Sequence, residues 1–516
     1  MSDPVAPSSV NRRSLLLGGA AALGASAFGG SALARPFTPS ARSADPFTLG
    51  VASGDPLPDG VVLWTRLAPD PTAEDGAGGV PNKAVPVQWE VAADPRFRHV
   101  VQRGESRAVP EFGHSVHVEL RGLRPGAEYF YRFKTGSAVS PTGRTRTAPA
   151  PGSMEALALC FCSCANYGQG YFTAYRRMAD DEPDLMLHLG DYMYESPPKA
   201  GDVRAVGSEP TTLAGYRRRY GHYKTDADLQ AAHATAPWLV VFDDHEVANN
   251  WADETPQKPD PHFPERRKAA FQAYYENMPL RRSSLPRDGR MQLFRRYQWG
   301  ALANFHMLDT RQYRDDQACG DGTKVGCDER SAPDRSLTGE DQEKWLVDGL
   351  ARSDARWDVL GQQVFFSKLD LVNGPAEGYN MDAWDGYVAN RDRIATALGE
   401  TVRNPVVLTG DVHQHWAAEI KRTHDDPASR PVGTEFITTS ITSDGDGHPG
   451  SDDATLRDNP HVKFNADRRG YIRAELDPRR MRVDYRTLEY VSRHGAEART
   501  AKTFVVEDGT PKLNEA

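Results

Sequence analysis

Cysteine is scarce in this chain, with five residues among 516. So few exclude a disulfide-built scaffold, and an odd number excludes complete pairing in an oxidising compartment. A basic excess is also missing. The 62 Lys and Arg stand against 71 Asp and Glu, a net charge of −9. That balance argues against nucleic acid or an anionic membrane as an electrostatic partner, because such surfaces are held by basic patches that release counterions. A local cation can still serve a small anionic substrate. Beyond the first 34 residues no apolar run is long enough to span a bilayer, so no transmembrane anchor is expected in the mature chain. Hydrophobic residues make up 39% and charged residues 26%, the balance of a soluble globular protein. The length suggests two to four domains and ample chain for a large core.

What is present begins with an export signal. In NRRSLLLGGAAALGASAFGGSALA, Arg12 and Arg13 precede a charge-free Leu/Ala/Gly stretch that ends in the small-residue cleavage pattern Ala32-Leu33-Ala34. This is a signal peptide of the twin-arginine type over residues 1–34, whose partner during export is the twin-arginine translocase. Its removal takes away two arginines and one aspartate and leaves −10. That route carries folded proteins, often with metal inserted, so a secreted or extracytoplasmic enzyme with a cofactor is expected. Cys319 and Cys327 enclose the short Gly-rich loop GDGTKVG, which suits a disulfide. Cys160, Cys162 and Cys164 alternate along one segment.

Residues 46–148 read as a β-rich module. GVVLWTRL, VPVQWEVA, SVHVELRGL and AEYFYRFKT are short β-branched and aromatic runs between Pro/Gly/Asp turns. GLRPGAEYFYRF looks like the turn into a late strand of a fibronectin-type-III-like sandwich, where a tyrosine ties the corner, and SPTGRTRTAPAPGS reads as a linker. From residue 155 to about 510 apolar strands alternate with helical segments such as GYFTAYRRMADD and TGEDQEKWLVDGLARS, the pattern of an α/β layered domain.

Three strands of that second domain end alike. DLMLHL runs into Gly190-Asp191, PWLVVF into Asp243-Asp244-His245-Glu246, and NPVVLT into Gly410-Asp411-Val412-His413. Strands apolar on both faces are buried, and in open α/β sheets the site lies beyond their carboxyl ends. Each motif alone is weak, since an Asp after a strand is often only a helix N-cap. Three together predict a converging metal site. Asp and His ligate catalytic metals, and one carboxylate can bridge two ions about 3.5–4 Å apart; Asp191 is the expected bridge.

At this point the chain shows a resemblance. FTLGVASGDPLPDGVVLWTRLAP, FCSCANY, GDYMYE, DDHEVANNWAD, MLDTRQYR, LTGDVHQHW and RRGYIRAELDPRRMRVDYRT together resemble the alkaline phosphatase D (PhoD-like) family of the calcineurin-like metallophosphatases, from residue 46 almost to the C-terminus. The resemblance implies an iron and calcium enzyme with an αββα metallophosphatase core behind an N-terminal β-sandwich. It implies Asp191 as bridging carboxylate, Tyr194 and Cys164 as phenolate and thiolate ligands of Fe³⁺, and Asp411 and His413 as ligands of Ca²⁺ and iron. Where many relatives carry Gly-Asn-His this chain has Asp243-Asp244-His245; Asp244 is taken as a metal ligand, His245 as the phosphate-contacting acid and Asn250 as a further calcium ligand. Phenolate and thiolate favour a trivalent ion whereas carboxylate and amide oxygens suit Ca²⁺, so the two donor sets match the two metals.

Other residues have plainer expectations. Cys160 and Cys162 read as small buried hydrophobes, and Tyr192, Trp251, Trp384 and Trp416 as core or pocket wall. Arg311 reads as a carboxylate partner ahead of an auxiliary phosphate contact, and Asp444 and Asp446 in TSDGDG as an ordinary polar turn, since an EF-hand's later glutamate is missing. The activity expected is hydrolysis of small or polymeric phosphoesters. Its monoester or diester preference stays open, a phosphodiesterase acting on phospholipid head groups or teichoic-acid-like polymers being the alternative. A non-catalytic wall-binding protein is disfavoured by intact Asp191, His245 and His413. A non-haem iron redox protein is disfavoured by Tyr and Cys donors.

Overall fold

The apolar runs that end in acidic clusters become central strands of two stacked sheets in the computed structural model, which describes residues 45–426 and 428–516. The segment 1–34 expected to be the export signal, with Arg12, Arg13 and the Ala32 to Ala34 pattern, lies outside the described residues. One sheet has ten strands, in the spatial order Asn514–Glu515, Ala498–Glu507, Arg480–Leu488, Gly470–Leu476, Leu157–Cys162, Leu185–Leu189, Pro237–Val241, Val51–Leu57, Gly60–Arg66 and Ser115–Glu119. The other has seven, in the order Arg295–Trp299, Ala303–Met307, Trp357–Gln362, Pro405–Thr409, Pro431–Ile437, His415–Lys421 and Val462–Ala466. The middle strands of each run parallel, so their carboxyl ends gather on one side.

Burial explains the composition of these strands. Leu185–Leu189, Pro237–Val241, Ala303–Met307 and Pro405–Thr409 are buried at every position, because one face meets the opposing sheet and the other meets helices. Leu187 and Leu189 pack in one core with Met307, Val359, Leu408 and Phe436 of the second sheet. A Cβ at Gly361 would come within 3.4 Å of Leu189 Cδ2 across that interface. Outside the second sheet, Leu346 and Leu350 of the helix Gly339–Leu350 and Ile394 and Leu398 of the helix Val388–Thr401 pack on Leu360 and Val407. Thr173–Asp180 and Ala227–Thr235 lie on the first, the latter started by Asp226, whose carboxylate accepts the Asp228 and Leu229 amides. The layers therefore run helix, sheet, sheet, helix, an α/β architecture.

The N-terminal β-rich stretch divides between two sheets. Val51–Leu57, Gly60–Arg66 and Ser115–Glu119 extend the ten-stranded sheet, with Ser53 opposite Pro237 and Gly54 opposite Trp238 in parallel register. Val85–Ala92, Val100–Ala108, Glu128–Thr135, Ala138–Val139 and Gly143–Arg146 form a separate five-stranded sheet. Val51 and Leu63 of the first share a core with Val87, Val91 and Tyr131 of the second, and the Tyr129 hydroxyl accepts the Arg124 N–H at 3.0 Å, the corner tie expected from its motif. Residues 45–516 form one compact unit. Cys319 and Cys327 are disulfide-bonded, and Cys160, Cys162 and Cys164 are buried free thiols. Among the described residues no helix is long and apolar enough to cross a membrane.

Candidate metal centre

Backbone reversals bring the side chains together. Immediately after their strands the chain turns left-handed at Cys164 (φ 59°), Asp191 (φ 55°) and Asp411 and His413 (both φ 60°), and again at Asn250 (φ 48°). A residue with a Cβ pays roughly 1–2 kcal/mol there, and such outliers persist where surrounding contacts over-determine them, often at functional sites. Cys164 thus stands beyond the strand Leu157–Cys162, not on a shared strand face with Cys160 and Cys162, and this turn separates it from the two inert thiols. The strand ends also touch. A Cβ on Gly190 (φ 109°) would lie 2.4 Å from Asp243 Cβ, and one on Gly410 would lie 2.9 Å from Ser163 Cβ. Gly190→Ala is accordingly expected to push the Asp191 and Asp243 turns apart, costing about 1–3 kcal/mol with loss of activity; retention of wild-type Tm and rate in the purified variant would show that the two turns are not in register as described.

Three overlapping groups of side chains present ligand atoms within 4.8 Å of one another: Cys164 with Asp191 and His413; Asp191 with Asp244 and His245; and Asp191 with Asp243, Asp244 and Asp411. Asp191 belongs to all three. Tyr194 joins the first group, its hydroxyl donating to Asp191 Oδ2 at 2.8 Å and lying 3.0 Å from His413 Nε2. Asn250 joins the last through its backbone N–H, which donates to Asp244 Oδ2 at 2.7 Å. Cys164, Asp191, Tyr194 and Asp244 are buried and form the floor, while His245, Asp411 and His413 are half-buried and form the rim. Seven of the eight candidate residues bring side-chain ligand atoms together, and Asn250 reaches them through its backbone N–H.

The donors sort by chemistry. Thiol, phenol and the His413 imidazole gather with Asp191 in one set, and carboxylates with the His245 imidazole in the others, so the first set would suit a thiolate-accepting metal and the carboxylates a hard, oxygen-seeking cation. The electrostatics fit a cationic guest. Burial pushes the acidic groups of Asp191, Tyr194 and Cys164 well up, and neighbouring acids push further. Asp411 rises for the same reasons, burial first and then Asp243 and Asp244. Asp243 is raised by burial to about 6 against the pull of Arg311, and its Oδ2 is a buried oxygen with no hydrogen-bond partner. Burial would raise Asp244 too, but His245 and Arg311 hold it below the usual carboxylate range.

Several residues that build this site lie in or beside the quoted motifs, yet their partners are not legible there. Glu195 accepts from His245 Nδ1 at 2.7 Å and from the Asn249 N–H at 3.0 Å, and the His245 ring packs against that of Tyr194, centroids 4.0 Å apart and tilted by 30°. Burial disfavours the imidazolium, yet Glu195, Asp244 and Asp191 together hold His245 well above its ordinary value. Glu246 accepts the backbone N–H groups of Asp191, Tyr192 and Asp243 and so splints two strand ends. Asp444 is more than a polar turn residue, since its Oδ2 lies 2.8 Å from His413 Nδ1 and fixes that ring with Nε2 toward Tyr194. Asp446 keeps the plainer role, accepting the Val491 and Ser492 amides. Arg311 is a carboxylate partner, fully buried between Asp243 at 2.5 Å and Asp382 at 2.8 Å. Tyr192, Trp251, Trp384 and Trp416 are core residues.

Comparison with known proteins gives this constellation a context. The chain matches the PhoD-like phosphatase family over residues 159–485 and that family's N-terminal domain over residues 31–149. It is 49% identical over 461 residues to alkaline phosphatase D of Bacillus subtilis (strain 168), an alignment covering 87% of this chain and 79% of that protein. The solved structure of PhoD matches with a TM-score of 0.89 at 48% identity, covering 92% of each chain. A purple acid phosphatase from seeds of yellow lupin (Lupinus luteus) shares the fold at 12% identity, with a TM-score of 0.53 over 89% of this chain and 73% of that one. With the family match spanning most of the chain and the strand-end acids gathered into one cluster, the chain belongs to the PhoD-like phosphatase family.

Proposed function

We propose that this protein is an exported, metal-dependent phosphoester hydrolase. The observation that carries the proposal is the sharing of Asp191 by three overlapping ligand groups beneath a rim that holds His245. Cys164, Asp191, Tyr194 and His413 would hold Fe³⁺, and Asp191, Asp244, Asn250 and Asp411 would hold Ca²⁺. When bound, such cations acidify a water molecule and offset charge on the non-bridging phosphoryl oxygens. The chain's own residues do the rest. Asp444 and Tyr194 fix the His413 ring, Glu246 fixes the Asp191 and Asp243 turns, and Arg311 tempers the charge on Asp243. Glu195 accepts the hydrogen bond of His245 Nδ1–H, so that Nε2 is the end able to give a proton to the leaving oxygen. The N-terminal signal and the Cys319–Cys327 disulfide support export through the twin-arginine translocase. Residues 46–148 would brace the hydrolase core of residues 155–510 by continuing its ten-stranded sheet.

A cavity of about 350 Å³ opens beside His245, walled by Glu195, Lys199, Asn249, Gln257 and Phe263, and it offers the leaving alcohol of a mono- or diester a place to sit. Parallel assays with p-nitrophenyl phosphate, its bis ester and phosphatidylcholine, together with elemental analysis of the active protein, test both parts. Iron with calcium and turnover of at least one ester are expected; zinc alone would overturn the ion assignment, and no turnover of any ester the hydrolase itself.

A further inference from the structure

Asn250 poses a chemical problem that the acidic ligands do not. A carboxylate presents oxygen whichever way it turns, whereas an amide faces a cation productively only with its carbonyl oxygen, and the NH₂ end must be tied elsewhere. The tie is present. Asn250 Nδ2 donates to Asp321 Oδ2 at 2.7 Å. An ionised carboxylate only accepts, so this contact fixes which end of the amide is which. The backbone of Asn250 is equally committed, its N–H to Asp244 and its C=O to Gln317 Nε2 at 2.9 Å. Among the described residues, Oδ1 is the one polar atom of Asn250 without a protein partner.

Asp321 comes from a distant part of the chain, inside the short loop closed by Cys319–Cys327. The loop is anchored on two sides: the strand Thr323–Val325 pairs with Gly378–Asn380, and the Cys319 N–H donates to Glu329 Oε2 at 2.9 Å. Asp321 Oδ1 accepts the Gly322 N–H at 2.7 Å, which sets the carboxylate within the loop. Its Oδ2 takes a second donor, Gln257 Nε2, and Gln257 Oε1 in turn accepts from Asn249 Nδ2 at 3.0 Å. One carboxylate oxygen thereby joins Asn250 in the centre to two residues that wall the cavity beside His245.

We propose that Asp321 is a positioning residue for the metal centre: held by the disulfide-closed loop, it sets the Asn250 amide with Oδ1 open to a cation and pins Gln257 to the substrate cavity. The proposal rests on Asn250 being a calcium ligand. Partners that orient a ligand without touching the metal are worth roughly 10–100-fold in metal affinity, and Asp321 is such a partner reached through a covalent loop.

The test compares wild type, Asp321→Ala, Asp321→Asn, Asn250→Ala and the double variant Cys319→Ser/Cys327→Ser. Two quantities are read: the calcium concentration giving half-maximal hydrolysis of an activated nitrophenyl ester, and the rise in Tm that calcium produces in chelator-treated protein. Asp321→Ala is expected to raise the half-maximal calcium by about tenfold or more and to shrink the calcium-induced Tm rise, with bound iron and the calcium-free Tm near wild type. Asp321→Asn, which keeps an acceptor oxygen, should fall between, and the double serine variant should shift in the same direction as Asp321→Ala. A shift in Asn250→Ala with none in Asp321→Ala overturns the positioning role while leaving the ligand in place. No shift in Asn250→Ala overturns the ligand assignment and the proposal with it. Loss of iron and calcium together in Asp321→Ala and Asp321→Asn would mark the loop as a general brace and also overturn the proposal.

Discussion

Asp191→Asn should lose at least about 10³-fold in kcat/KM, since the shared charge on two cations is worth several kcal/mol and each ~1.4 kcal/mol is a factor of ten. The expectation follows from position. Asp191 is the member common to all three ligand groups, and its oxygens also receive the Tyr194 hydroxyl and the His245 backbone N–H. An amide can keep one of those contacts but carries no charge, so every cation held at Asp191 should loosen at once. Stability should move the other way. Burial holds the carboxyl of Asp191 well above its usual range, so without bound cations an ionised Asp191 is a cost to the folded state at neutral pH, and that cost fades as pH falls and the group protonates. Metal-free Asp191→Asn should therefore melt at or above the temperature of metal-free wild type at pH 7, with the gap narrowing toward acid pH. The half-buried Asp348, paired with Lys344 and outside every ligand group, supplies the control: Asp348→Asn should change neither rate nor metal content. Equal activity in the two variants would place the centre elsewhere.

The elements that carry the centre were legible because each is a local pattern. Leu185–Leu189, Pro237–Val241 and Pro405–Thr409 coincide with apolar runs that end in Gly or Asp, since a strand covered on both faces needs apolar residues throughout and a reversal at its end needs Gly, Asn or Asp. Helices Thr173–Asp180 and Gly339–Leu350 were equally visible. What was not legible depends on pairing at a distance. The contact of Ser53 with Pro237 merges the N-terminal stretch with the hydrolase sheet, and nothing within either strand records its partner. Glu195, Asp321 and Asp444 fall in the same class. Each is an acidic residue in a connecting segment, indistinguishable by composition from a solvated one, and each acquires a role only through a residue at least 31 positions away in the chain. Asp444 shows the limit best, because its TSDGDG context reads as a polar turn, and it is one, yet its carboxylate is spent on His413.

His245→Ala is the second large effect, and its pattern across substrates matters more than its size. Removal of a ligand empties the site for every ester, whereas removal of a proton donor harms most those whose leaving group is too basic to depart unprotonated. His245 stands at the rim with Nδ1 bound to Glu195 and its ring against Tyr194. General acid catalysis contributes about 10²–10⁴-fold, so His245→Ala should lose that much on glycerol phosphate or a choline diester and far less on a nitrophenyl ester, with bound metal retained. His413→Ala should lose iron and both activities together. Glu195→Gln separates the acid from its support. Burial opposes the imidazolium and Glu195 is the foremost charge that sustains it, so loss of that charge lowers the His245 pKa. An acid must be protonated to act, and the alkaline limb of the kcat profile for a poor leaving group should then move to lower pH, with little change for the nitrophenyl ester. Equal loss on good and poor leaving groups in His245→Ala, or release of metal from it, would make His245 a ligand or a charge stabiliser, and an unmoved alkaline limb in Glu195→Gln would sever the pair.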